Sequence, residues 1–80
     1  MENKIGILGI IISDYNQVEK VNEILHGARE YIVGRLGVPY KQREVSVISI
    51  VIDAPNTVIN SLSGKLGMLN GVSSKVLLTK

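Results

Sequence analysis

Residues 45–53 read Val45-Ser46-Val47-Ile48-Ser49-Ile50-Val51-Ile52-Asp53, and Ala54-Pro55-Asn56 follows at once. Val and Ile fit a pleated surface and lose side-chain freedom in a helix, so this stretch is a strand. Side chains alternate between the two faces of a strand. Val45, Val47, Ser49 and Val51 therefore share one face, and Ser46, Ile48, Ile50 and Ile52 share the other. Both faces are largely apolar. One layer of helices covers only one of them, so the strand needs a second cover.

Eighty residues hold one hydrophobic core, and the chain reads as a single domain over residues 1–80. Domains this small usually rely on disulfides, a structural metal or self-association. The chain has no cysteine and one histidine, which excludes disulfides, thiolate metal sites and an intrachain structural zinc site. Self-association is what remains, and a 45% hydrophobic composition fits it. Nine basic and seven acidic side chains give a net charge of +2, too mild to point to nucleic acid. The apolar run Ile5–Ile12 after Lys4 is short for a signal peptide and ends in Ser13-Asp14-Tyr15-Asn16, which offers no small-residue cleavage site. No apolar run approaches a membrane span. A cytoplasmic protein with no membrane partner is expected.

Working outward, Lys4–Ile12 is a first strand with Ile5, Ile7 and Ile11 on one face and Leu8, Ile10 and Ile12 on the other. Gly6 and Gly9 interrupt it, as glycines do where backbones approach closely. Ser13, Asp14 and Asn16 are candidate helix caps. A helix is predicted from Asn16 to about Arg29, with Val18, Val21, Ile24, Leu25 and Ala28 on one stripe. Ile32–Tyr40 alternates again as a second strand, and Pro39 marks an edge position or a bulge. Lys41-Gln42-Arg43-Glu44 turns the chain into residues 45–53 as a hairpin. Asp53 or Asn56 is expected to cap a second helix carrying Val58, Ile59, Leu62, Leu66 and Leu69. Gly64 and Gly67 are read as sites of close helix packing, Asn70-Gly71 as a turn and Val72–Leu78 as the last strand.

The order strand, helix, strand, strand, helix, strand is an α+β, ferredoxin-like βαββαβ pattern. With right-handed crossovers it makes a four-stranded antiparallel sheet with two helices on one face. The first and third strands then lie at the centre, and their uncovered face is an apolar patch larger than a lone soluble chain exposes. A homodimer or homotetramer is expected, with Ile5, Ile7, Val47, Val51 and the small residues Gly64 and Gly67 as candidate interface positions.

Three segments carry a family resemblance. His26-Gly27-Ala28-Arg29-Glu30-Tyr31-Ile32-Val33-Gly34-Arg35-Leu36-Gly37-Val38-Pro39-Tyr40, then residues 45–55, then Leu62-Ser63-Gly64-Lys65-Leu66-Gly67-Met68-Leu69-Asn70-Gly71-Val72 resemble the iron-only hydrogenase system regulators. That resemblance implies an ACT-like ferredoxin fold and a role in gene regulation. It also implies a distant likeness to the metal-sensing domain of the nickel-responsive repressor. There, the nickel ligands are a helix histidine, two strand histidines and a cysteine, which fall on His26, Gly37, Pro39 and Val45. Only His26 can coordinate a metal through its side chain, so the nickel site is not carried over. No counterpart of that repressor's DNA-binding ribbon-helix-helix segment is expected, and neither is direct nucleic-acid binding.

In ACT-like domains the loop after the first strand binds amino acids or other small effectors, which makes Ser13, Asp14, Tyr15 and Asn16 the effector candidates. Free amides at a helix start favour a carboxylate. Tyr15 and Asn16 stand where ACT loops commonly carry Pro and Gly. His26, between Glu23 and Glu30, is the one metal candidate, against the plainer reading of a solvated polar face. Arg35, Tyr40, Lys41 and Arg43 make a basic patch with one aromatic, the raw material of an RNA-binding alternative. The central strands present aliphatic residues where stacking rings would be needed. Gly64-Lys65 lacks the spacing of a phosphate-binding loop. No nucleophile pattern is present, and the arginine loop of acylphosphatases, which share the strand order, is replaced by Ser13-Asp14. A non-enzymatic protein without a cofactor is expected, one that binds a small effector or a regulatory protein partner. The alternative is a structural adaptor.

Overall fold

A computed structural model describes residues 2–79. Strand β1 is Asn3–Ile12, helix α1 Val18–Gly27, β2 Ile32–Tyr40, β3 Val45–Pro55, α2 Asn56–Gly67 and β4 Val72–Leu78. The four strands form one antiparallel sheet in the order β2-β3-β1-β4. This is the ferredoxin-like βαββαβ arrangement, and β1 and β3 are its central strands.

Alternation along β1 and β3 decides where the core sits. Leu8, Ile10 and Ile12 of β1 and Ile48, Ile50, Ile52 and Ala54 of β3 point to the helix side and are buried. They meet Val21, Leu25 and Ala28 from the first helical region and Ile59, Leu62 and Leu66 from α2. Each such Leu or Ile withdrawn from water contributes about 1.5–3 kcal/mol before the entropy cost of ordering it. Gly6 lies on the same side, where a Cβ would stand 3.0 Å from Leu78 Cδ2 and 3.3 Å from Ile52 Cγ2. What crowds this glycine is side chains rather than another backbone, the nearest backbone atom being the Leu77 oxygen at 3.5 Å.

Several expected boundaries shift for physical reasons. The first helix is shorter than residues 16–29, because 3₁₀ turns at Tyr15–Gln17 and Arg29–Tyr31 flank it. The Arg29 guanidinium donates to the His26 carbonyl at 2.9 Å and so occupies one of the free acceptors at the α1 end. Strand β3 runs two residues past Asp53, since Asn3 and Lys4 pair with Pro55 and Ala54. Asp53 therefore sits in the sheet opposite Ile5 and does not cap α2. Pro55 occupies the cap position without a side-chain bond, and the Asn56 side-chain oxygen is buried without a partner.

β2 is an edge strand, as Pro39 indicated, and its register slips between Ile32 and Gly34. Gly64 and Gly67 correct an expectation. Both are exposed, and a Cβ at either would meet nothing within 4 Å, so they do not serve close packing within the chain. Gly71 does make the predicted turn, at φ 75°.

Candidate functional site

The face of the sheet away from the helices is open. Ile5, Ile7 and Ile11 of β1 are 45%, 44% and 48% exposed, and Val47 and Val51 of β3 are each 38% exposed. All four expected sheet residues, Ile5, Ile7, Val47 and Val51, therefore lie together on this face. The register adds Ile11 opposite Val47, Val38 on β2 beyond it, and Leu77 on β4 opposite Ile7. Leu36 belongs here too, beside Ser49. Its position follows from the period-2 pattern of β2, but only the pairing register shows that this side faces away from the helices.

The relief of this face is ordered. Gly9 lies opposite Ser49 at its middle, between the Ile7–Val51 row and the Ile11–Val47 row. A low row of small residues thus separates two apolar ridges, with Leu36 at one end and Lys75 at the other. In an antiparallel pair the exchange of β1 with β3 carries one ridge onto the other. The pattern is nearly its own image under a two-fold rotation.

The loop after β1 is braced. Ser13 donates its backbone N–H at 2.7 Å and its hydroxyl at 3.0 Å to the Gly71 carbonyl. The Asp14 carboxylate accepts from the Asn16 N–H at 3.0 Å, and the Gln17 N–H donates to the Asp14 carbonyl at 2.9 Å. Of the four effector candidates, Ser13, Asp14 and Asn16 are thus engaged in holding the loop. Tyr15 is 85% exposed and faces outward. Gly71 has no room for a side chain, since a Cβ there would lie 2.7 Å from Asp14 Cβ.

His26 does not lie between two carboxylates. The helix stops at Gly27, so Glu30 is no longer on its face. His26 lines a hollow with Asn22, Arg29 and Arg35, and Arg35 donates to Asn22 Oδ1 at 3.2 Å. Two guanidinium groups beside the imidazole oppose a cation. No group of three or more His, Asp or Glu side chains that could hold a metal occurs among the described residues. The basic patch is also divided. Arg35 pairs with Ile50 and so faces the helix side, whereas Tyr40 lies opposite Val45 at the end of the strand.

Two further hollows are prominent. One of about 450 Å³ runs between the helices, over Ile24, Ala28, Val58 and Leu62, with Glu23 and Lys65 at its rim. The other, of about 250 Å³, lies at the end of the sheet between Tyr15 and the β2–β3 hairpin.

Residues 4–76 match the model of the TM1266-like family, described as "Iron-only hydrogenase system regulator, putative". The chain belongs to this family. Its fold is similar to that of the uncharacterized protein TM1266 from Thermotoga maritima, at a TM-score of 0.94 and 35% sequence identity, over 99% of this chain and 100% of that one. Among proteins with curated function, none matches this chain. Among the described residues, no helix is long and apolar enough to cross a membrane.

Proposed function

We propose that the chain is a non-enzymatic regulatory module that works as a homo-oligomer, joined through the open face of its sheet, and that it senses a small effector or engages a regulatory protein. The open face is the observation that carries this. Ile5, Ile7, Ile11, Val47 and Val51 occupy its centre, with Leu36, Val38 and Leu77 around them. Four strands at about 4.8 Å spacing and seven to eleven residues long present on the order of 500 Å² in projection. Accessible area exceeds projection, which brings the face close to the roughly 800 Å² per partner of a standard interface. The family description supplies the regulatory part.

A second copy suits this face because a two-fold interface pairs the same patch of both subunits, and both ridges of this patch are apolar. Regulation in the module then runs through the assembly and whatever it binds. Contact with an operator is not part of this proposal, because Arg35 and Tyr40 sit apart and the sheet centre offers no stacking rings.

Light scattering on the purified chain at micromolar concentration tests the assembly. The expected mass is at least twice the 8.7 kDa of one chain. A mass of one chain overturns the proposal. The runner-up, an adaptor whose open face meets a different chain, predicts a monomer alone and a mixed complex with its partner.

A further inference from the structure

Asn22 and His26 stand one turn apart on α1, and Arg29 begins the 3₁₀ turn that follows the helix. Across from them, Arg35 of β2 pairs with the buried Ile50 and so faces the helix side. Its guanidinium reaches back to α1 and donates to Asn22 Oδ1 at 3.2 Å. Together these residues line a hollow of about 350 Å³, floored by the buried Leu25 and the partly buried Ile32.

Charge of one sign gathers here. Two guanidinium groups and an imidazole line the hollow, and no carboxylate does. The acidic residues of the same region, Glu19, Glu23 and Glu30, line other hollows. Each guanidinium is held by a hydrogen bond to an uncharged acceptor, Asn22 Oδ1 for Arg35 and the His26 carbonyl, at 2.9 Å, for Arg29. Neither bond neutralises the charge, and each fork keeps most of its N–H donors to spare. The bond from Arg29 also offsets the negative pole at the end of α1, which would otherwise repel an anion. Access is open. Gly37 is the next residue of β2 on the helix side, and a Cβ there would meet nothing within 4 Å.

Two tethered forks of donors fit a group with several acceptor oxygens and two negative charges, because guanidinium and phosphoryl groups pair bidentately. A bare phosphate ion fills only part of 350 Å³, a volume within the range of organic-ligand pockets. Leu25 and Ile32 set apolar surface beside the charges. We infer that the hollow between α1 and β2 binds a small phosphate monoester. Arg29 and Arg35 hold its phosphoryl group, His26 donates a further hydrogen bond, and its organic part lies over Ile32. This names a ligand class for the effector-sensing reading above and rests on that reading. The hollow lies on the helix side of the sheet, so ligand binding and assembly through the open face are separable.

The test is an amide-shift titration of the isotope-labelled full chain with phenyl phosphate, in phosphate-free buffer at constant ionic strength. Inorganic phosphate and benzoate are the controls, and mass is measured on the same samples. Saturable shifts at residues 22–29 and 32–37 are expected, with phenyl phosphate bound about tenfold tighter than either control. Arg29→Gln and Arg35→Gln should each weaken binding by about tenfold or more. Arg35→Lys keeps the charge without the fork and should restore only part of the loss. Both side chains are exposed, so the variants keep the fold, which their unliganded amide spectra check. An absence of saturable shifts overturns the inference. So do shifts centred on the groove at Ile24 and Val58, equal affinity for either control, or undiminished binding by the Arg35→Gln variant. A dimer mass without saturable shifts overturns this site alone. A monomeric mass with intact shifts instead overturns the assembly through the open face and leaves the site standing.

Discussion

Ile10 and Ile11 are neighbours in sequence and identical in chemistry, yet one is fully buried and the other 48% exposed. The same division runs through β3, where Ile50 and Ile52 are fully buried while Val51 between them is 38% exposed. The two faces of the sheet have nearly the same composition and opposite surroundings. One lies against α1 and α2, and nothing among the described residues covers the other. Strand alternation therefore produces two apolar faces at once, whereas two short helices supply a single layer. The contrast teaches that an excess of Ile and Val in a small chain is a statement about assembly as well as about the core.

Substitutions on the two faces can break or sharpen that contrast. Ile50→Ala removes a fully buried side chain at the sheet centre, and a loss of about 2–5 kcal/mol of unfolding free energy is expected in denaturant titration. A loss below 1 kcal/mol would mean that the helix side is poorly packed. Next in size is Gly71→Ala. A methyl group there meets Asp14 Cβ at 2.7 Å and demands a left-handed backbone, so about 1–3 kcal/mol should be lost. Unchanged stability would show that the brace between the β1 loop and the β4 turn is loose.

On the open face, the pair Ile7→Ser with Val51→Ser should leave the circular dichroism of the chain in place while the mass falls to that of one chain. If both substitutions unfold the chain as Ile50→Ala does, the two faces are not distinct in the way described. The smallest effect is expected at Gly64→Ala. The site is exposed and open, and replacing a helical glycine should raise stability by about 0.5–1 kcal/mol. A fall in assembly mass on the same substitution would put α2 in the interface beside the sheet.

Much of the fold was legible because its signals are local. Period-2 runs of Val and Ile marked β1 and β3, Pro39 marked an edge, and Asn70-Gly71 marked a turn. The start of α2 was not legible, because Ala54 and Pro55 are held in β3 by pairing with residues at the far end of the chain. Likewise, nothing in the sequence near Gly64 or Gly67 tells a glycine that admits a neighbour from one that faces open space. The candidate site was half legible. Ile5, Ile7, Val47 and Val51 could be assigned to one surface from alternation and strand order, and Tyr15 could be placed in an effector loop from the family resemblance. The hollow between Tyr15 and the β2–β3 hairpin was not legible, since these segments meet only through the rows that join β1, β3 and β2.

Residues 45–53 show where the boundary lies. Sequence by itself determined that this stretch is a strand with two apolar faces, because side-chain branching and alternation depend only on neighbours along the chain. It also determined the family and the order of elements. Only the tertiary structure decided which face the helices cover, which residues of β2 and β4 extend the open one, and which loop and hairpin close around a cleft. Those outcomes depend on register and on strand order. Both are set by contacts between segments distant in sequence, whose energies no single segment contains.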